Sequence, residues 1–272
     1  MEYNALLRKL PIGIQTFEKL RKENYLYVDK TELIWKMAFA SNPYFLSRPR
    51  RFGKSLLLST FEAYFEGKKE LFEGLAIEKM ETEWKKYPVL HLDLNAKKYE
   101  TPADLIAMLN QTLEKWEIVY GNEKKDRSPE ERFAYVIERA YEQAGCGVVV
   151  LVDEYDKPLL QALDNDALLE DYRKTLKAFY GVLKSADRYL RFAFLTGVTK
   201  FSQVSVFSDL NQLNDISLDY SYATVCGITR TELVETFTPE IEEFGRVNKL
   251  SAEETVDKMA RQYDGYHFHP KG

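Results

Sequence analysis

Short apolar runs alternate with amphipathic helical patterns along this chain, and this alternation constrains the fold more than any other feature of the sequence. Strands joined by helices form parallel sheets, because each helix carries the chain back across one face of the sheet. The run GVVVLVD is continuously apolar up to its last residue, as expected of a strand covered on both faces. We therefore predict an α/β fold with a mainly parallel sheet flanked by helices. The predicted strands are residues 44–47, 89–94, 148–152, 192–196 and, with the weakest pattern, 223–227.

Helix start and stop signals lie between these runs. Thr101 is an N-cap followed by Pro102, which is tolerated in a first turn because its missing N–H needs no partner there. Ser128 and Glu131 form a capping box, and the helix that they open should end near Gly145. A further long helix is predicted at about residues 167–185.

The last part of the chain lacks strand patterns. Capping boxes beginning at Thr229 and Ser251 predict helices there. We expect residues 1–228 to form the α/β domain and residues 229–272 a small helical appendage or lid. The final segment, YDGYHFHPKG, carries no stop signal, which predicts a chain cut before a further C-terminal domain.

Composition excludes several classes of protein. With 45% hydrophobic and 14% aromatic residues among 272, the chain can bury a substantial core and is not disordered. It has no apolar run of transmembrane length and no secretory signal, so we expect a soluble cytoplasmic protein without membrane contact. Cys146 and Cys226 form neither a zinc motif nor a disulfide framework. A net charge of -5 makes general DNA binding unfavourable.

The most informative segment is FLSRPRRFGKSLLLST, where a predicted strand leads through a basic loop into an apolar helix. The P-loop pattern GxxxxGK[ST] wraps phosphates with backbone N–H groups, while its Lys binds the outer phosphates and its Ser or Thr binds Mg²⁺. The second half of that pattern is present, but Arg48 stands where the first glycine is expected; the alternative is a basic turn before a core helix. The predicted nucleotide-binding residues are Arg50, Arg51, Phe52, Gly53, Lys54, Ser55 and Leu56.

A second signal is the acidic end of the apolar strand, VVVLVDEYD. Asp153 is predicted to hold Mg²⁺ through water, together with Ser55, and Glu154 to orient and deprotonate an attacking water. The alternative is an acidic surface turn. The carboxyl ends of parallel strands meet at one edge of a sheet, so this pair should lie beside the loop. Thr196, at the end of the next strand, is the candidate sensor of the γ-phosphate, with Thr199 as the alternative.

These segments resemble the bacterial AAA-ATPase-like family, a group of degenerate P-loop ATPases. The resemblance rests on LPIGIQTFEKLRKENYLYVDKT, RPRRFGKS, VVVLVDEYDKP, FLTGVTKFSQVSVFSDLNQLNDISL and YDGYHF. It implies a five-stranded P-loop NTPase core of the additional-strand, catalytic-glutamate division, followed by a helical lid, with ATP as ligand and Mg²⁺ as cofactor. It also implies that Gly53, Lys54 and Ser55 bind phosphates and metal and that Asp153 and Glu154 complete the site. Family members often carry a C-terminal nuclease-like domain of the PD-(D/E)XK superfamily, whose motif does not occur in these residues.

Weaker signals leave alternatives open. Tyr27 is either a residue that stacks on the base or, as we favour, a core aromatic. His267 and His269 could share one face of an extended segment, but without a third ligand they favour an exposed pair over a metal site.

Tyrosines interleaved with basic residues can bind single-stranded nucleic acid, but no ordered stripe emerges, so that interpretation is weak. Candidates for an arginine finger donated across a homo-oligomer interface are Arg191, Lys200 and Arg230.

The leading functional hypothesis is Mg²⁺-dependent ATP binding and hydrolysis that drives a conformational change of the lid or of a partner domain. Glu154, Lys54 and Thr196 are its predicted catalytic residues. One alternative is a nucleotide-gated interaction module that binds ATP with little hydrolysis, motivated by Arg48 and the stiff Pro49, or a regulator of a fused nuclease-like domain. Another is a kinase, which the adjacent Asp and Glu disfavour because they suit water as the nucleophile.

Overall fold

A parallel sheet lies at the centre of the computed structural model, which describes residues 9–40, 43–199, 213–263, 266 and 268. Within these residues the sheet has five strands, which are β1 (Pro43–Ser47), β2 (Val89–Asp93), β3 (Val148–Asp153), β4 (Leu190–Gly197) and β5 (Asn214–Asp215). They lie in the order β2-β3-β4-β1-β5, and every neighbouring pair runs parallel. The predicted α/β architecture is confirmed.

Helices cover both faces of the sheet, which is why β3 is apolar throughout. Its alternate residues enter two different cores, with Val150 packed on one face of the sheet and Leu151 on the other. The helices are α1 (Phe17–Lys22), α2 (Thr31–Ala40), α3 (Lys54–Phe65), α4 (Pro102–Tyr120), α5 (Pro129–Ala144), α6 (Lys157–Gln161), α7 (Asp166–Ser185), α8 (Arg230–Thr236), α9 (Thr238–Asn248) and α10 (Ala252–Tyr263).

The capping signals place the helix ends where the sequence predicts them. Helix α4 begins at Pro102 behind a capping box formed by Thr101. Helix α5 begins behind the capping box of Ser128, and Gly145 ends it in the left-handed conformation with φ 63°. A residue with a side chain is strained at that φ, so glycine is the favoured residue there.

The fifth strand is not where the sequence predicted it. Residues 223–227 form turns and bends, although Val225 and Cys226 are buried against the core. The strand that pairs with β1 is instead the two-residue β5, with Tyr44 opposite Asn214 and Phe45 opposite Asp215. A short apolar run has no periodicity that separates a buried turn from a strand, and a two-residue polar strand leaves no pattern at all.

The parallel register brings the carboxyl ends of the strands to one edge of the sheet. Asp93 pairs with Asp153 across β2 and β3, and Ser47 pairs with Gly197 across β1 and β4. The loops that follow these strands therefore meet at that edge, where open α/β sheets bind their ligands.

After residue 228 the described chain consists of α8, α9 and α10 with their connections. The half-buried Lys30, which precedes α2, forms an ion pair with Glu232 of α8 and so connects this helical segment to the N-terminal part of the chain. The division into domains at residue 228 stays a prediction. Across the described residues, none of the helices combines the length and the apolarity that a membrane span requires.

Candidate functional site

The loop between β1 and α3 is tied to the sheet and carries two residues with positive φ. The Arg48 backbone N–H donates to the Gly197 carbonyl at 3.1 Å, which anchors the loop to the end of β4. Arg51 has φ 68° and Gly53, the N-cap of α3, has φ 89°. A built Cβ at Gly53 would meet no atom within 4 Å, so backbone conformation and not space makes glycine the favoured residue here.

Lys54 begins α3 and is buried, with its ammonium turned back into the loop. Its Nζ donates to the carbonyls of Arg48 and Pro49, each at 3.1 Å. The other predicted phosphate-binding cations, Arg50 and Arg51, are exposed at the loop surface. The predicted residues Phe52, Ser55 and Leu56 are half-buried around the start of the helix.

The side chain of Arg48 points out of the loop, towards the segment that follows β5. Its fully buried guanidinium donates to the carbonyls of Ser47 at 3.0 Å, Ser217 at 2.7 Å and Ala223 at 3.4 Å. Burial lowers the pKa of Arg48. Arg48 therefore connects the start of the loop to the segment after β5 and acts as a structural bracket.

At the end of β3, Asp153 is buried and held by two hydrogen bonds to the same oxygen. The Thr196 hydroxyl donates to Asp153 Oδ1 at 2.6 Å, and the Glu154 backbone N–H donates to it at 3.0 Å. Thr196, at the end of β4, is itself fully buried. The structure thus brings together the two side chains that the sequence assigned to metal binding and γ-phosphate sensing.

Glu154 follows in a left-handed conformation with φ 51°, which is strained for a residue with a side chain. Burial and the neighbouring Asp153 raise the pKa of Glu154, and the charges of Lys157 and Lys54 act in the opposite direction. Lys157 Nζ lies 4.0 Å from the Glu154 carboxylate.

Asp156 and Tyr155 form a part of the site that sequence reasoning missed. The buried Asp156 carboxylate accepts the N–H groups of Val198 and Thr199 and the Thr199 hydroxyl at 2.8–3.2 Å. The Tyr155 hydroxyl donates to the Thr199 carbonyl at 2.8 Å. Thr199, the alternative sensor, is therefore held by Asp156 and Tyr155 and not by Asp153. The acidic residues of DEYD are visible in the sequence, but the sequence does not show that Asp156 binds the backbone at Val198 and Thr199.

A cavity of about 330 Å³ adjoins the loop. Its walls come from residues 11–30, from residues 51–60 and from residues 225–237, and most of the lining side chains are aliphatic or aromatic. Tyr27 lines this cavity and also packs edge-on against the core residue Phe17, with ring centroids 5.2 Å apart. Cys226 lines it from the other side, and burial raises the pKa of its thiol to about 11. This volume is of the size that small-molecule pockets have.

Comparison with known proteins gives two matches. The sequence profile of a family described as "Predicted AAA-ATPase" matches residues 11–207, more than half of the chain. The chain belongs to this family. A relative from Azotobacter chroococcum mcd 1, named "Uncharacterized protein in vnfD 5'region", is 40% identical over 262 residues. The match covers 96% of this AAA-ATPase-like chain and 49% of the relative, so the chain spans about half of the relative's length. No solved structure matches.

Family membership implies nucleotide binding, for which Mg²⁺ is the typical cofactor, and the residues present fit that ion. Across the described residues, no three His, Cys, Asp or Glu side chains are grouped to hold a metal ion among themselves. Mg²⁺ bound with a nucleotide keeps several waters and takes phosphate oxygens as ligands, so one or two protein groups suffice. Asp153 offers a buried carboxylate whose Oδ2 takes no part in the bonds to Thr196 and Glu154.

The arginine-finger candidates do not converge on the site in the described part of this AAA-ATPase-like chain. Arg191 lies at the opposite end of β4 from Thr196 and donates to the Ala38 carbonyl at 2.8 Å. Arg230 pairs with Asp257 at 2.6 Å within the C-terminal helices. Lys200, together with His267 and His269, lies outside the described residues.

Proposed function

We propose that this chain binds Mg-ATP at the loop between β1 and α3 and hydrolyses it to ADP and phosphate. The observation that carries the proposal is the buried Asp153–Thr196 pair at the same sheet edge as the helix start that bears Lys54. A carboxylate is rarely buried for packing alone, because desolvation of its charge costs free energy that hydrogen-bond partners or a bound ligand must offset. Family membership supports the nucleotide.

Lys54 has to change partners for this function. Its Nζ donates to two loop carbonyls, and a phosphate oxygen offers a charged acceptor that forms stronger hydrogen bonds than a neutral carbonyl. The N–H groups at the start of α3 add the favourable end of the helix dipole. We assign phosphate binding to Lys54 and to the backbone at Gly53, with exposed Arg50 and Arg51 as further cations.

Ser55 and Asp153 would hold the magnesium ion, the former through its hydroxyl in the first turn of α3 and the latter through water. When bound, Mg²⁺ neutralises charge on the phosphates. Thr196 fixes the orientation of the Asp153 carboxylate through its 2.6 Å hydrogen bond. Glu154, whose pKa burial raises, accepts the proton of the attacking water.

The base and ribose fit the cavity beside the loop. Its apolar walls, which include aromatic rings, suit the flat faces of a purine, and residues 51–56, which carry the proposed phosphate-binding groups, contribute to its lining. Lys30 and Glu232 form their ion pair where the N-terminal segment meets α8, and residues of the segment 225–237 line the cavity. We therefore assign to the helical segment the role of a lid over this cavity.

The test is phosphate release from Mg-ATP by the purified chain, compared with its Glu154→Gln variant. Wild type is expected to release phosphate, and the variant to bind ATP with unchanged affinity while losing at least about a hundredfold in rate, since a general base contributes that much. Glu253→Gln is the matched control, because Glu253 is an exposed carboxylate in the first turn of α10. It should hydrolyse ATP at the wild-type rate.

Two results would contradict these assignments. Hydrolysis by Glu154→Gln at the wild-type rate would remove the water-activating role from this carboxylate. Unchanged ATP affinity in a Lys54→Ala variant would remove phosphate binding from the loop.

A second candidate function is ATP binding with little turnover. It is favoured by the Lys157 ammonium 4.0 Å from Glu154, which can hold that carboxylate away from water. A rise in melting temperature with Mg-ATP but no phosphate release would support it. Where such a module is joined to a nuclease-like domain, as the resemblance implies for many family members, nucleotide binding would regulate that domain.

A further inference from the structure

Two aromatic residues near the end of the described chain lie on the candidate phosphate loop. The ring of Phe52 meets Tyr266 at 4.7 Å and Phe268 at 5.3 Å between centroids, edge-on in both cases. Tyr266 and Phe268 are themselves stacked, with an angle of 9° between their planes. We call these two residues the aromatic pair. Such edge-on contacts contribute a favourable free energy in addition to that of the apolar area that they bury.

The aromatic pair also reaches the other end of the loop. The Arg48 guanidinium carbon lies 4.2 Å from the centre of the Phe268 ring, a short cation–π distance for a buried cation. The Phe268 ring therefore contacts both Arg48, the first residue of the loop, and Phe52, its fifth residue.

The same two loop residues are held from a second direction by the segment after β5. The Arg48 guanidinium donates to the Ser217 and Ala223 carbonyls, and the Phe52 carbonyl accepts the Gly227 N–H at 3.1 Å. The loop is thus clamped at residues 48 and 52 between that segment and the aromatic pair.

What lies between the two clamped residues is strained. Arg51 adopts φ 68°, a conformation that residues with a Cβ rarely take and that persists when surrounding contacts impose it. A loop that binds phosphate needs its N–H groups directed inward before the ligand arrives, since ordering the loop on binding would weaken affinity. The contacts at residues 48 and 52 supply that order.

We propose that Tyr266 and Phe268 are positioning residues for the phosphate loop, so that docking of the aromatic pair and binding of the nucleotide strengthen each other. Coupling between two sites is reciprocal: if the pair raises the affinity for ATP, ATP stabilises the docked pair to the same degree. This inference rests on the proposed ATP-binding function and adds to it a coupling between the loop and residues 266 and 268.

The first test is the dissociation constant of Mg-ATP for a Phe268→Ala variant, measured by titration with a fluorescent ATP analogue. Loss of the ring contacts to Phe52 and Arg48 should weaken binding roughly three- to tenfold, the range expected for aromatic and cation–π contacts of this kind. Tyr263→Ala is the matched control, because Tyr263 is the last residue of α10, lies just before the aromatic pair in the sequence and is 78% exposed. Its affinity should equal that of the wild type.

Two further measurements distinguish a loss of loop order from misfolding of the variant and from a chain that does not bind ATP. Phe268→Leu keeps apolar volume but removes the ring, and it should weaken binding by a smaller factor than alanine. Hydrogen exchange without nucleotide should show faster exchange of the amides of residues 50–54 in Phe268→Ala than in wild type or Tyr263→Ala. In wild type, Mg-ATP should slow exchange at residues 266 and 268.

The outcomes separate this inference from the proposed function. Equal ATP affinity and equal loop exchange in Phe268→Ala and wild type would overturn the coupling and leave ATP binding standing. Tighter ATP binding by the variant would overturn its sign. If the wild type bound no ATP, the proposed function would fail, and unchanged loop exchange would still decide against a positioning role.

Discussion

At the scale of single residues, the direction of a side chain decides its role more than its charge does. Arg48 and Lys54 are cations of the same short loop, yet the Arg48 guanidinium points to the carbonyls of Ser217 and Ala223 while Lys54 remains inside the loop. The planar fork of arginine can reach several carbonyls at once, which suits a bracket between segments. A compact ammonium suits an exchangeable contact.

Gly197 offers a test of how tightly the acidic motif packs against the end of β4. A built Cβ at Gly197 would lie 2.3 Å from Tyr155 Cε1 and 2.8 Å from Asp156 Oδ1. Gly197→Ala should therefore lower the free energy of unfolding by about 1–3 kcal/mol or more, since both neighbours are buried and must shift. Denaturant unfolding measures this loss.

Gly181 is the matched control for that substitution. It lies inside α7, and a built Cβ there meets no atom within 4 Å. Gly181→Ala should raise the free energy of unfolding by roughly 0.5–1 kcal/mol, because alanine has the higher helix propensity. Equal effects of the two substitutions would show that the contact between Gly197 and Tyr155 is looser than described.

The site could be predicted from sequence as far as local motifs reach. GKS and the acidic strand end identified Lys54 and Asp153, because the chemistry of those motifs depends on residues adjacent in sequence. Asp156 escaped, since its partners Val198 and Thr199 lie more than forty residues away and an acidic residue after a strand resembles a surface turn. The bracket formed by Arg48 escaped for the same reason.

At the scale of elements, local signals determined helix ends well, while the packing between helices was not visible. Helices α4 and α5 are joined by a buried ion pair in which Arg132 contacts both Glu117 oxygens, at 2.8 and 2.7 Å. Arg132 also donates to Asn110 at 2.7 Å. The sequence shows charges on both helices but not which of them face each other.

Removal of one member of that pair should be strongly destabilising. Arg132→Met leaves the Glu117 carboxylate buried without its cation, so we expect a loss of about 3–5 kcal/mol in the free energy of unfolding. Combining it with Glu117→Leu should recover most of the loss. Arg139→Met, which breaks the exposed pair with Glu142 on α5, is the control and should cost less than about 1 kcal/mol. Similar losses for both arginines would argue against the buried pair.

At the scale of the whole molecule, one ion pair makes global stability depend on pH near neutrality. His91 Nδ1 on β2 lies 3.0 Å from Glu62 Oε2 on α3. Burial would lower the pKa of His91, but Glu62, with Asp153 and Asp93 nearby, outweighs it, so the pKa is raised. The stabilisation is therefore complete below the unfolded pKa of about 6.5 and is lost as pH rises through the higher folded value.

Thermal unfolding of wild type and Glu62→Gln checks this dependence. The wild type should be the more stable near pH 5.5, by no more than about 1 kcal/mol because the pair is partly exposed to solvent. The difference should shrink as the pH rises towards about 8. In a His91→Gln background the same Glu62 substitution should have no pH-dependent effect, and a constant difference in both backgrounds would rule the ion pair out.

The strand order has a consequence for the order in which the molecule can be made. Strand β1 pairs with β4, and Arg48 donates to Gly197, about 150 residues later in the chain. At roughly 5–20 residues per second, translation delivers that partner some 8 to 30 seconds after the loop itself has been synthesised. Until then β1 is an unpaired apolar segment and the loop has no anchor. The part of the chain proposed to bind nucleotide is thus translated early and folds late. ATP therefore cannot stabilise the nascent chain until β4 has been synthesised.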